Sequence, residues 1–232
     1  MTSERRHTLR PMEAVEIARA ESERGEVVLR ERREESAPPV TELRVNGVFV
    51  MDTMETSSER ALATAALELV EEPDSVLVGG LGLGFTLAEV LADRRVGSCT
   101  VVELEQCLVD WMRDGTIAHG AALLADERLD VVVADVATAL AEADESAYDL
   151  VLLDVDNGPG YLVHQDNEAI YLPPFLEAAK RATRQVLAIW SADEAPELGA
   201  ALQQVFGNCQ PLSYDVQLGL RSEEYWLYVS RT

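Results

Sequence analysis

The stretch from Ser75 to Asp93, SVLVGGLGLGFTLAEVLAD, constrains this chain more than any other. Ser75 to Val78 has the apolar, β-branched character of a strand, and Phe85 to Asp93 carries apolar residues at helical spacing. Between them lies Gly79-Gly80-Leu81-Gly82-Leu83-Gly84. A strand that passes through glycines directly into a helix is the opening unit of an open α/β sheet. Residues without a Cβ let the backbone approach a ligand closely, and the helix N-terminus can meet an anion. The spacing is G-x-G-x-G, and Phe85 stands where a dinucleotide fingerprint has glycine. That argues against a pyrophosphate-bearing dinucleotide and for a nucleoside without one. A tight turn with no ligand would look similar, so the other strand ends carry weight.

From this point the pattern alternates. Strands are expected at Cys99 to Glu103, Leu129 to Ala134, Tyr148 to Asp154 and Gln185 to Ser191. Helices are expected at Glu105 to Asp114, Val136 to Glu142, Asn167 to Thr183 (with Pro173-Pro174 inside it) and Pro196 to Phe206. Tyr148 to Asp154 is almost purely apolar, as in a sheet covered on both faces. Leu212 to Leu218 and Glu224 to Ser230 are too close in sequence for a parallel crossover and must pair antiparallel. The fold class is α/β: a Rossmann-like, doubly wound, mostly parallel sheet with an antiparallel C-terminal hairpin.

Residues 1–55 differ. A short helix is expected first, then a strand at Gly25 to Arg32 and short strands around Asn46-Gly47, a strong hairpin signal. Thr56-Ser57-Ser58-Glu59 has the form of a capping box opening a helix to about Val70, with Leu62, Ala65, Ala66 and Leu69 on one face. Residues 1–55 thus form a small N-terminal β region, and residues 56–232 the Rossmann-like domain.

In such a sheet ligands sit beyond the carboxyl ends of the strands. Glu103 ends the second parallel strand, where a carboxylate can accept ribose hydroxyls, and Asp135 follows the third, where one can accept an adenine amino group. The fourth leads into Asp154-Val155-Asp156-Asn157-Gly158-Pro159-Gly160. Each carboxylate alone has a bland alternative as a surface charge or helix cap. Together they point to an adenosyl-type ligand. Tyr161, His164 and Tyr171 follow this loop, and Trp190 ends the fifth strand, so they are candidates to shape an acceptor pocket. His164 is a candidate general base, although an exposed loop histidine without a role is the commoner case. Trp190 and Trp226 also suit plain packing, as does Trp111.

VLVGGLGLGFTLAEVL, VVELE, VVVADVATAL and YDLVLLDVDN resemble the glycine, ribose, adenine and catalytic-aspartate segments of the spermidine synthase family, within the class I S-adenosylmethionine (SAM)-dependent methyltransferase superfamily. The resemblance covers roughly residues 25 to 190. It implies that Gly80, Gly82, Leu83, Gly84, Glu103 and Asp135 hold SAM or decarboxylated SAM. By the same resemblance Asp154, assisted by Asp156 or Asn157, takes the proton of an attacking amine. The family's glycine turn has an aspartate for the ammonium of decarboxylated SAM, and that slot falls on Leu83 here. The family's Gln and Tyr-His-Glu cluster is represented only by Glu59. These departures favour methyl transfer from SAM to a small-molecule nucleophile as the expected activity. Aminopropyl transfer from decarboxylated SAM to a polyamine-like amine is the first alternative, and a non-catalytic adenosyl-binding protein the second. The resemblance also implies a homo-oligomer.

A formal charge of -23, from 42 acidic against 19 basic residues, repels phosphate backbones and makes nucleic acid an unlikely partner. It is compatible with a cationic acceptor, though acidic surfaces also arise for solubility alone. Cys99, Cys107 and Cys209 have neither disulfide-framework nor metal-ligand spacing. No secretory h-region or membrane-length apolar run is evident, so a cytoplasmic location is expected.

Overall fold

The computed structural model describes residues 14–33, 37–155, 170–218 and 221–232. Strands β1 (Ala14–Ser22), β2 (Gly25–Arg32), β3 (Val40–Val45) and β4 (Val48–Asp52) form an antiparallel meander in that order. The β3–β4 turn has positive φ at both Asn46 (52°) and Gly47 (77°), the geometry that Asn-Gly signals. The expected short N-terminal helix is not what residues 14–22 form. They alternate polar and apolar side chains and pair with β2 along their whole length, and this pairing overrides the helix-favouring Ala, Glu and Arg content. Residues 1–13 lie outside the described residues.

The second sheet is built from α1 (Ser57–Glu68), β5 (Ser75–Gly79), α2 (Phe85–Ala92), β6 (Ser98–Glu103), α3 (Gln106–Arg113), α4 (Gly120–Leu123), β7 (Leu129–Val133) and α5 (Val136–Glu142). It continues through β8 (Tyr148–Leu153), α6 (Pro173–Ala182), β9 (Thr183–Ser191), α7 (Pro196–Phe206), β10 (Gln210–Leu218) and β11 (Arg221–Arg231). The strand order is β10-β11-β9-β8-β5-β6-β7, parallel from β9 through β7. β11 runs antiparallel to both β9 and β10, as the short connection requires. α6 begins at Pro173, with proline in the first turn, so Pro173-Pro174 start this helix and do not kink it. The expected portion from Asn167 to Ala169 lies outside the described residues.

Alternate residues of the central strands feed two cores. Val76, Val78, Leu150 and Leu152 pack with α1, α2, α3 and the small sheet. Leu77, Val151, Leu153 and Ile189 pack with α5, α6 and α7. Both faces are covered, which explains the unbroken apolar run in β8. From β5 the chain winds outward through β6 and β7, then returns to place β8 on the other side of β5. The crevice at this reversal, between the ends of β5 and β8, is where the geometry puts a ligand. Among the described residues no helix is long and apolar enough to cross a membrane.

Candidate active site

The turn after β5 sets the floor of the cleft. Gly80 has φ +90°, and a Cβ there would stand 2.0 Å from the Asp154 carbonyl oxygen, so only glycine lets β5 and β8 end side by side. The Asp154 N–H donates to the Gly79 carbonyl at 2.8 Å, fixing that register.

Glu103, at the end of β6, is buried, and its carboxylate ties two backbone segments together. One oxygen accepts the Leu81 N–H at 2.8 Å and the other the Glu105 N–H at 2.7 Å. Burial pushes its pKa up, while these N–H groups and that of Gly82 pull it down. The carboxylate keeps a lone pair for a ligand hydroxyl. Asp135 is the N-cap of α5: its Oδ1 accepts the N–H of Ala137 (2.7 Å) and Thr138 (3.3 Å), leaving the other oxygen at the cleft rim.

Asp154 and Glu59 meet at the far end. The carboxyl of Asp154 is enclosed, and burial raises its pKa from 3.8 to about 6 despite a 2.9 Å hydrogen bond from the Thr86 hydroxyl. Glu59 is 8% exposed. Burial and then the charge of Asp154 raise its pKa from 4.5 to about 7. Thr86 lies in the first turn of α2 and also reaches the Glu59 carbonyl at 3.1 Å. A hydroxyl has one proton, so donating fully to both acceptors is impossible. The two acceptors therefore share the Thr86 proton, which leaves the Asp154 carboxyl incompletely stabilised. The expected capping box is corrected: Thr56 is the N-cap but makes no side-chain cap bond. Glu59 turns inward instead, taking the Ser58 hydroxyl at 2.7 Å.

The small sheet roofs the cleft with Leu43, Val45, Val50 and Met51. Arg24, in the β1–β2 turn, fastens this roof by donating to Glu105 (2.8 Å) and to the Leu104 carbonyl (2.9 Å). Trp190 forms part of the wall, is 9% exposed, stands edge-on to Tyr225 at 5.4 Å and, among the described residues, has no hydrogen-bond partner for its Nε1.

Of the sequence candidates, Gly80, Gly82, Glu103, Asp135, Asp154, Glu59 and Trp190 share this cleft. Leu83 and Gly84 do not line it. The Leu83 side chain is fully buried in the core, because the positive φ of Gly82 and Gly84 turns the chain inward between them. Leu83 takes part through its backbone alone, its carbonyl accepting His119 Nε2 at 2.6 Å and its N–H facing Met51 Sδ at 3.2 Å. Asp156, Asn157, Tyr161 and His164 lie outside the described residues, and Tyr171 is buried against α6 and α7. Sequence reasoning missed the roof and the hydrogen bond of the Thr86 hydroxyl to Asp154. The alternation of Leu43 and Val45 in β3 was the available signal for the roof.

Five carboxylates (Glu59, Glu103, Glu105, Asp135, Asp154) line the cleft, and no Lys, Arg or His is among its described lining residues.

Comparison with known proteins matches residues 55–212, more than half the chain, to the spermine/spermidine synthase domain. Polyamine aminopropyltransferase 2 of Pseudomonas aeruginosa is 31% identical over 62% of this chain and 43% of its own length. Putrescine N-methyltransferase 3 of Nicotiana tabacum is 28% identical over 61% of this chain and 36% of its own. The chain thus spans less than half the length of these curated relatives. Among solved structures, a spermidine synthase in complex with the transition state analogue AdoDATO superposes with a TM-score of 0.77 at 17% identity. That match covers 95% of this chain and 75% of the other. The spermidine synthase of Thermotoga maritima gives 0.75 at 16% identity, over 95% and 74%. At these identities the structures establish the fold.

Proposed function

The chain belongs to the spermine/spermidine synthase domain family, and we propose that it transfers an aminopropyl group from decarboxylated SAM to a cationic, polyamine-like amine. The observation that carries this reading is the charge of the cleft: five carboxylates among its described lining residues, of which Glu105 alone is paired with an arginine, Arg24, at the roof. A donor whose tail is an ammonium alone is paired there, whereas the α-carboxylate of intact SAM meets only like charge. Leu83 had favoured methyl transfer at the level of sequence. With its side chain in the core, that reason falls away, and Glu59 and Asp154 supply negative charge beside the same turn.

The residues present fit an adenosyl donor. Gly80 and Gly82 line the cleft with bare backbone, Glu103 keeps a lone pair for a ribose hydroxyl, and Asp135 has a free oxygen for an exocyclic amine. When bound, the donor supplies a carbon next to a sulfonium, from which a neutral thioether leaves as the carbon–nitrogen bond forms. The chain's own work is positioning and proton acceptance. Asp154 takes the proton from the amine nitrogen, Glu59 pairs with the remaining positive charge, and the roof keeps water from the reacting centre. A carboxylate whose pKa lies near neutrality suits this role, since it both holds and releases a proton at working pH. Asp156 and Asn157, adjoining Asp154, remain candidates to assist, and Tyr161, His164 and Trp190 to shape the acceptor end.

Methyl transfer from SAM is the second reading, favoured by the 28% identity to a putrescine N-methyltransferase. Calorimetric titration with SAM, decarboxylated SAM and methylthioadenosine, followed by mass analysis of putrescine incubated with each donor, separates the readings. Preference for decarboxylated SAM and an aminopropyl mass gain is expected. A methyl gain from SAM establishes the second reading. Tight binding without any transferred group points to a non-catalytic adenosyl-binding protein.

A further inference from the structure

We infer that Met51 determines which donor the cleft accepts, by filling the anion-binding notch of the glycine turn and so excluding a tail that carries a carboxylate. The inference rests on the adenosyl-donor reading above and adds the residue that enforces it. Backbone N–H groups in a strand-to-helix glycine turn are the natural seat for a ligand anion. Of those from Gly80 to Gly84, all but one meet an oxygen of the protein itself. Gly80 donates to the Val102 carbonyl at 2.9 Å, Leu81 to Glu103 at 2.8 Å, and Gly84 to the Leu81 carbonyl at 2.7 Å. The Gly82 N–H faces the Glu103 carboxylate. The Leu83 N–H remains, and it meets not an oxygen but the Met51 thioether at 3.2 Å.

A thioether is a weak acceptor, so from Gly80 to Gly84 this N–H is the one donor that a carboxylate would bind better. Met51 also occupies the space itself: a Cβ at Gly82 would lie 2.7 Å from its sulfur. The sulfur sits in the notch that glycine leaves open. The notch is on the donor's path. Leu81 is tied to Glu103 at the ribose end, Gly80 abuts Asp154 at the reacting end, and both Gly82 and Met51 line the cleft between. A tail running from one end to the other passes over Gly82. It finds a sulfur where an oxygen-bearing tail would need an N–H.

The test measures binding of SAM and decarboxylated SAM by the wild-type chain, Met51→Ala and Met51→Leu, with thermal melting as the check on folding. Met51→Ala frees the Leu83 N–H, so SAM should bind roughly ten-fold or more tighter relative to decarboxylated SAM, the gain of one charge-assisted hydrogen bond. Met51→Leu keeps the bulk and should keep the wild-type ratio. Should the alanine variant unfold, Met51→Thr, smaller and strand-favouring, opens the same notch. An unchanged ratio in a folded small-residue variant, with wild type still preferring decarboxylated SAM, overturns the role of Met51 and leaves the proposed function standing. Wild type that prefers SAM, or binds neither donor, overturns both.

Discussion

At the scale of single residues, Asp154 and Glu59 leave a signature that does not depend on finding a substrate. Their folded pKa values, about 6 and about 7, lie above the unfolded values of 3.8 and 4.5. Between these limits the folded chain holds more protons than the unfolded one, so stability falls as pH rises through the window. The melting temperature of the ligand-free protein should therefore drop from about pH 4.5 to about pH 7.5. The double variant Glu59→Gln, Asp154→Asn should lose part of that drop and melt higher than wild type at the alkaline end. An equal slope in both proteins would mean that burial does not raise these two carboxyls. Asp154→Asn alone keeps the acceptor for Thr86 but removes the base. It should reduce kcat by roughly 10²–10⁴-fold with donor affinity little changed, measured by steady-state kinetics beside calorimetry. Asp154 and Glu103 were legible as strand-end carboxylates, because position along a parallel strand dictates which end a residue occupies. Glu59 was read both as a helix cap and as an acceptor-binding residue, because its spacing from Thr56 is local and its partner across the cleft is not. The Met51–Leu83 contact joins two sheets and has no counterpart in sequence spacing.

Among the elements, the β1–β2 turn illustrates how a weak contact can matter more for binding than for stability. Arg24 reaches Glu105 with a side chain that is 43% exposed, and exposed ion pairs contribute little, about 0–1 kcal/mol. Arg24→Ala should leave the melting temperature nearly unchanged. Because the same side chain fastens the roof over the cleft, donor dissociation should quicken several-fold in stopped-flow measurements. Unaltered dissociation would show that the roof stays closed without it. The strand–helix alternation from Ser75 onward was readable because parallel strands buried on both faces are uniformly apolar while their helices keep a 3.6-residue period. The stretch Ala14–Ser22 was not. Its composition suits a helix, and its strand conformation comes from pairing with β2, an interaction that composition does not encode.

For the whole molecule, the formal charge of -23 acts at a distance on any cationic acceptor. If the acceptor is a polyamine-like cation, its kcat/KM should fall steeply as sodium chloride rises through the range that shortens the Debye length, while kcat stays level. A flat salt profile would point to a neutral acceptor. The division of labour between the two sheets also has a consequence in time. Val27, Leu29, Leu43 and Val45 belong to one core with Leu62, Leu83 and Leu108, so the roof packs on residues synthesised after it. At roughly 5–20 residues per second, the meander waits on the order of several seconds on the ribosome before α3 is made. A four-stranded sheet this small has too little core of its own to be stable in that interval. Its apolar side stays bare until the glycine turn arrives beneath it, and the interval before that docking is when a nascent chain is most open to pairing with a neighbour.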